Sequence, residues 1–170
     1  MTDRLERLWA GWRGEYVGGE SVKSDARDPS ECVLCGVMAE LEGVAAVQSV
    51  HRGDSVDVVL NLYPYNNGHM LVLPRRHIAG LDDLEPDEHD EFWWCVRIAT
   101  RTLERSYEPD GVNVGVNQGR AAGAGVPGHV HGHVLPRWAG DTSFTTSVAG
   151  TRIIPEALDV SGERLRHAWG

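Results

Sequence analysis

Three cysteines in 170 residues are too few for a disulfide framework, so a hydrophobic core must hold this chain together. No run approaches the ~20 apolar residues of a membrane span. The opening stretch MTDRLERLWAGWRGEY is charged throughout and lacks the apolar centre of a signal peptide. Basic charge is also scarce. With 16 Lys and Arg against 25 Asp and Glu the net charge is -9, the wrong sign for gripping nucleic acid by its phosphates. Arg75 and Arg76 offer one local basic spot. Internal repeats and low-complexity linkers are missing too. Together these absences predict a cytoplasmic protein with neither a membrane nor a nucleic-acid partner.

What is present is a globular profile, 41% hydrophobic and 24% charged with 20 glycines, at a length that suits one domain. Residues 1–30 open with an amphipathic segment (Leu5, Leu8, Trp9, Trp12) and pass through a polar, turn-rich stretch. They are expected to form an N-terminal extension to a domain over 31–170. A short helix is predicted from Cys32 through Glu42, then a strand around Ala45–His51. SVDVVLNL and HMLVLP read as hairpin strands joined by the turn YPYNNG, with Pro74 ending the second. The clearest helix opens at Pro86 with acidic residues in its first turn, is apolar at Phe92, Val96, Ala99 and Leu103, and ends near Tyr107. DGVNVGVNQG is a further strand and GRAAGAGVPG a glycine-rich loop. Residues after Gly140 are expected to pair once more before a helix around Gly162–Trp169. This order predicts an α+β domain with a mostly antiparallel sheet.

The run GHVHGHVLPRW sets His129, His131 and His133 at alternate positions of an apolar segment that reads as a strand ended by Pro136. A strand rises about 3.3 Å per residue, so the three rings should project from one side, roughly 6–7 Å apart. The preceding glycines let backbone N–H groups converge on an anion as phosphate nests do, or form a plain hairpin loop; no Walker sequence is present. An imidazole attacks phosphorus through one nitrogen while its other N–H is held by a backbone acceptor. Asn117 lies just upstream with an amide in reach. In a reducing compartment the pair Cys32 and Cys35, C-x-x-C, binds metal or does redox work, and zinc would need two further ligands. Cys95 reads as a small core residue. His69 opens a strand, and His51, His89 and His167 read as exposed.

The segment HVHGHVLPRW resembles the signature of the histidine triad family of nucleotide hydrolases and transferases. VVLNLYPYNNGHMLVLPRRHI resembles that family's hairpin, NVGVNQG its next strand, and PRWAGDTSF a tail seen in actinobacterial members active on diadenosine polyphosphates. The resemblance covers about residues 31–155. It implies a histidine-triad-like fold, a homodimer, and cleavage of a nucleotide or dinucleotide such as diadenosine tetraphosphate through a nucleotidyl-histidine intermediate. Residue by residue it makes His131 the nucleophile, with His133 and Asn117 assisting at the phosphoryl group. It sets Asn61 at the ribose, the backbone of Ala124, Gly125 and Val126 at phosphate, and His69 at a packing position. The zinc-bearing branch implies that Cys32, Cys35, His77 and His129 hold a structural zinc, with no catalytic metal required. The chain departs from the pattern at Gly128, Gly132, Val126 and Ser143. His133 stands where the transferase branch has glutamine. Glycines in place of larger side chains suggest a widened site, which keeps a nucleotidyltransferase or nucleoside phosphoramidase as the alternative. A catalytically silent nucleotide-binding regulator is a third possibility.

Overall fold

The computed structural model describes residues 28–39, 48–141 and 156–170. The expected amphipathic segment near Trp9, the first helix beyond Ala39, the strand start at Ala45, Ser143 and the extra pairing after Gly140 lie outside these residues. Five strands form one antiparallel sheet: β1 (Ser49–Arg52), β2 (Val56–Leu60), β3 (Met70–Pro74), β4 (Gly111–Val116) and β5 (Gly132–Arg137), in the order β1-β2-β3-β5-β4. The two most apolar runs, β2 (polar only at Asp57) and β3, are buried along their whole length. That follows from strands covered on both faces.

Alternation of side chains assigns each face its partner. On one face Val56, Val58, Leu60, Met70, Val72 and Val134 pack under α2 (Pro86–Tyr107) and α3 (Leu158–Ala168). On the other, Val59, Leu71 and Leu73 pack with Cys32, Leu34 and Met38 of the segment carrying α1 (Val33–Ala39). The long helix starts where its sequence says it should: Pro86 occupies the first turn, and Glu88 Oε2 accepts the Glu85 backbone N–H at 2.9 Å. α3 begins at Leu158, ahead of the expected Gly162, and drives Leu165 into the core.

The histidine run departs from the expected strand at both ends. β5 pairs with both neighbours only from Gly132 onward, opposite Val72 on one side and Val116 on the other, so His129 and His131 precede the ladder. Pro136 does not end the strand. Its carbonyl accepts a hydrogen bond from Asn66 Nδ2 at 3.0 Å on the β3 side, and its missing N–H points the same way, beyond Val134 where β3 pairing has ceased.

Gly132 alternates with His131 and His133, and so faces the opposite side from both. A Cβ built there would lie 3.0 Å from Phe92 Cζ and 3.7 Å from Val72 Cβ. Its small size therefore accommodates the core beneath α2. The reading of Gly132 as a widened site is corrected by this geometry.

Candidate active site

The residues immediately before β5 divide the three histidines between two tasks. His129 turns away from the other two. Its Nε2–H donates to the Pro74 carbonyl at 2.8 Å, which leaves the Nδ1 lone pair facing Cys32 Sγ at 3.5 Å and Cys35 Sγ at 3.4 Å. His77 Nδ1 lies 3.3 Å from Cys35 Sγ. The four ligand atoms sit within 4.8 Å of one another. A tetrahedral zinc with ordinary bond lengths places its sulfur and nitrogen ligands about 3.6 Å apart, so the donor set and spacing fit that ion. Burial, helped by the neighbouring Cys32, raises the Cys35 thiol to about 11. His77 is carried on a stiff connection, because Arg76 forms a two-pronged pair with Glu88 at 2.7 and 2.6 Å. Arg75 pairs with the buried Asp57 at 3.3 Å. The expected basic spot is therefore neutralised at both positions.

His131 and His133 face each other with ring centroids 4.9 Å apart. The Nδ1–H of His131 donates to the carbonyl of His129 at 2.8 Å, so its lone pair is on Nε2. Burial lowers the basicity of both rings, His133 to about 4, and keeps them neutral near pH 7. The tautomer of His133 is set by a residue expected only to pack. His69 is fully buried, and its Nδ1 receives the Tyr65 backbone N–H at 3.1 Å and the Asn61 Nδ2–H at 3.3 Å. The proton of His69 is thus on Nε2, which donates to His133 Nδ1 at 3.0 Å. His133 in turn carries its proton on Nε2. The site offers one nucleophilic lone pair and one fixed donor, each held in place by a backbone-anchored hydrogen bond.

The remaining expected residues are less uniformly assembled. Asn117 directly follows the β4 residue that pairs with Gly132, so the register sets it beside His131 on the face shared by Gly115 and His133. Asn61 is close to the site, yet its side chain is occupied by His69 and by the Tyr63 N–H, accepted at 3.0 Å. The loop turns through Gly119 (φ 77°) and Gly123 (φ 86°), backbone angles that favour glycine. The Ala124 N–H is used within this loop, donated to the Gly119 carbonyl at 3.3 Å. Val126 packs its side chain onto the α1-side core, and Gly125 lies between them. Of the histidines outside the site, His89 and His167 are exposed as expected. His51 is not: it stacks on Trp169 at 4.8 Å.

Comparisons with known proteins agree with this geometry. The family model described as HIT domain matches residues 42–140. The chain is 37% identical to the AP-4-A phosphorylase of Mycobacterium tuberculosis, over 99% of this chain and 87% of that protein. It is 38% identical to a bis(5'-nucleosyl)-tetraphosphatase [asymmetrical] of Schizosaccharomyces pombe, over 49% and 46% of the two chains. Among solved structures, a Zn-bound histidine triad family protein from Mycobacterium smegmatis superposes with a TM-score of 0.66 at 27% identity, covering 82% of this chain and 94% of that one. With its two-part histidine site and these matches, the chain belongs to the histidine triad family.

Proposed function

We propose that this protein cleaves dinucleoside polyphosphates, diadenosine tetraphosphate being the first candidate, through a nucleotide bound covalently to His131. The observation that carries the reading is the pair of locked tautomers, a lone pair on His131 Nε2 beside an N–H on His133. In the first step the Nε2 lone pair forms a bond to the α-phosphorus, and the electrons of the breaking P–O bond leave with the departing phosphate oxygen. No proton need move. A polyphosphate departs as an anion, and His133 Nε2–H and the Asn117 amide hydrogen-bond the phosphoryl oxygens as charge builds. The ring of His131 becomes cationic, with its Nδ1–H still held by the His129 carbonyl, and so remains a good leaving group for the second step. Water or inorganic phosphate then takes the nucleotide from Nε2. The full-length similarity to a protein named AP-4-A phosphorylase favours phosphate.

Structural zinc belongs to the same proposal. When bound by Cys32, Cys35, His77 and His129 it would supply a cross-link between the α1 segment and the segment that carries the nucleophile into β5. The domain over 31–170 acts with residues 1–30 as an extension, in the cytoplasm, where thiols stay reduced. A homodimer is supported by β4, which ends the sheet and leaves Val114 47% exposed; an edge of this kind can pair with a second copy.

Chromatography of products from diadenosine tetraphosphate, with and without phosphate, tests the reading. Phosphate-dependent ADP plus ATP identifies a phosphorylase, and phosphate-independent AMP plus ATP a hydrolase. Turnover that survives His131→Asn refutes the covalent mechanism.

A further inference from the structure

Two of the three cysteines sit together, and they differ in access. Cys32 is buried and Cys35 only half-buried, while their sulfurs lie within 4.8 Å of each other. Cys95 is enclosed in the core on the opposite face of the sheet. A thiolate open to a small oxidant, with a second sulfur beside it to resolve the product, is the arrangement that oxidises reversibly. Cys35 lies in the first turn of α1, three residues after Cys32. Residues so spaced on a helix have Cβ atoms roughly 5–6 Å apart, close to the ~4 Å that a disulfide spans, so the pair can close with little movement of the chain.

What a bridge would disturb follows from the two histidine ligands. His129 Nδ1 faces both sulfurs, at 3.5 and 3.4 Å, and the carbonyl of the same residue accepts the His131 Nδ1–H at 2.8 Å. Next to His77, the Ile78 carbonyl accepts the Val130 N–H at 2.7 Å. Of these two backbone acceptors that hold the nucleophile's segment, one belongs to a metal ligand and the other to a ligand's neighbour. We propose that Cys35 and Cys32 form a peroxide-responsive pair, in which a disulfide takes the place of the zinc site and silences His131. This rests on the zinc centre proposed above and gives its thiolates a second task. The Cys35 thiolate attacks one oxygen of a peroxide and breaks the O–O bond, leaving a sulfenic acid and a hydroxide that solvent protonates. The Cys32 thiolate then attacks the Cys35 sulfur, forming the S–S bond and expelling a second hydroxide, protonated in turn. Two electrons pass from the sulfurs to the peroxide, which is reduced to water. Only His77 and His129 then remain as ligands, half of what a structural zinc requires.

The test treats the zinc-loaded full chain with hydrogen peroxide and follows three quantities: zinc released to a chromogenic chelator, the disulfide by peptide mass spectrometry, and turnover of diadenosine tetraphosphate. One zinc should leave for each bridge between Cys32 and Cys35, while Cys95 stays a thiol. Turnover should fall in step, by up to about 100-fold, the scale of a misplaced catalytic group. A dithiol with added zinc should restore all three, and Cys95→Ala should respond as the parent does. Zinc and thiols that survive excess peroxide, a bridge to Cys95, or zinc released with turnover intact each overturn the proposal. So does a loss that dithiol and zinc do not reverse, which is damage. If the untreated chain cleaves no dinucleotide, the NMR signal of the His131 Nδ1–H replaces turnover as the readout, and a signal unmoved by oxidation overturns the coupling. A chain that takes up no zinc refutes the metal centre itself, an outcome distinct from any response to peroxide.

Discussion

Filling the space at Gly132 should cost stability without changing the choice of substrate. A methyl group added there meets Phe92 Cζ at 3.0 Å, closer than carbon atoms normally approach, and Val72 Cβ at 3.7 Å. Phe92 is wholly buried and must shift by some tenths of an ångström against α2. Overpacking of this kind costs about 1–3 kcal/mol, and exchanging glycine for alanine in a strand returns about 0.5–1 kcal/mol. Gly132→Ala should therefore be destabilised by up to about 2 kcal/mol, a fall in Tm of roughly 4–8 °C for a domain of this size. Gly132→Leu should be worse, and Phe92→Leu should restore part of the loss, because the two sites share one contact. Denaturant unfolding at constant slope measures all three. The reasoning fails if Gly132→Leu is as stable as the parent yet shifts preference among nucleotides, since its side chain would then line the site.

Three other perturbations test the polar half of the molecule. Cys35→Ser should lower bound zinc well below one per chain by elemental analysis; even ~3 kcal/mol of metal-linked stability lost would lower Tm by about 6–12 °C, and unchanged metal content would remove Cys35 from the ligand set. His69→Ala takes away the donor that fixes His133, so kcat should fall at most as far as the ~100- to 1000-fold of a lost transition-state donor. A loss seen only in stability would make His69 a packing residue after all. Burial lowers His131 from its ordinary value of 6.5, and only the neutral ring can attack. The acid limb of kcat/KM should accordingly lie below pH 6.5, and a limb at or above that value would contradict the buried nucleophile.

Much of this architecture is legible without coordinates, for reasons that differ along the chain. β2 and β3 are visible because strands covered on both faces need nearly continuous apolar runs, interrupted here only by Asp57, and Pro86 with its acidic neighbours marks the helix start through backbone and dipole chemistry. The C-x-x-C pair and the histidine run expose both halves of the site. His69 was hidden because one histidine at the head of an apolar strand looks like core. Its signal is Asn61 at the opposite end of the same hairpin turn, the polar partner a buried imidazole requires. Gly132 was misplaced although simple alternation between two site histidines already sends it to the other face. The start of β5 could not be read locally, since it depends on where β3 and β4 stop pairing.

His131 hangs one residue outside the sheet, between two anchors. On one side Gly132 and His133 are held in the ladder; on the other, His129 is pinned by Pro74 and by the thiols. His131 is thus the middle of a short bridge fastened at both ends, and its freedom is largely rotation of its ring. An insertion of even one residue between His129 and His133 would slacken that bridge, whereas the glycine loop before it could change length without disturbing either anchor. Local opening at His131 requires one fastening to release first, so amide exchange there should report the more easily released of the two and should quicken when Cys32 or Cys35 is replaced.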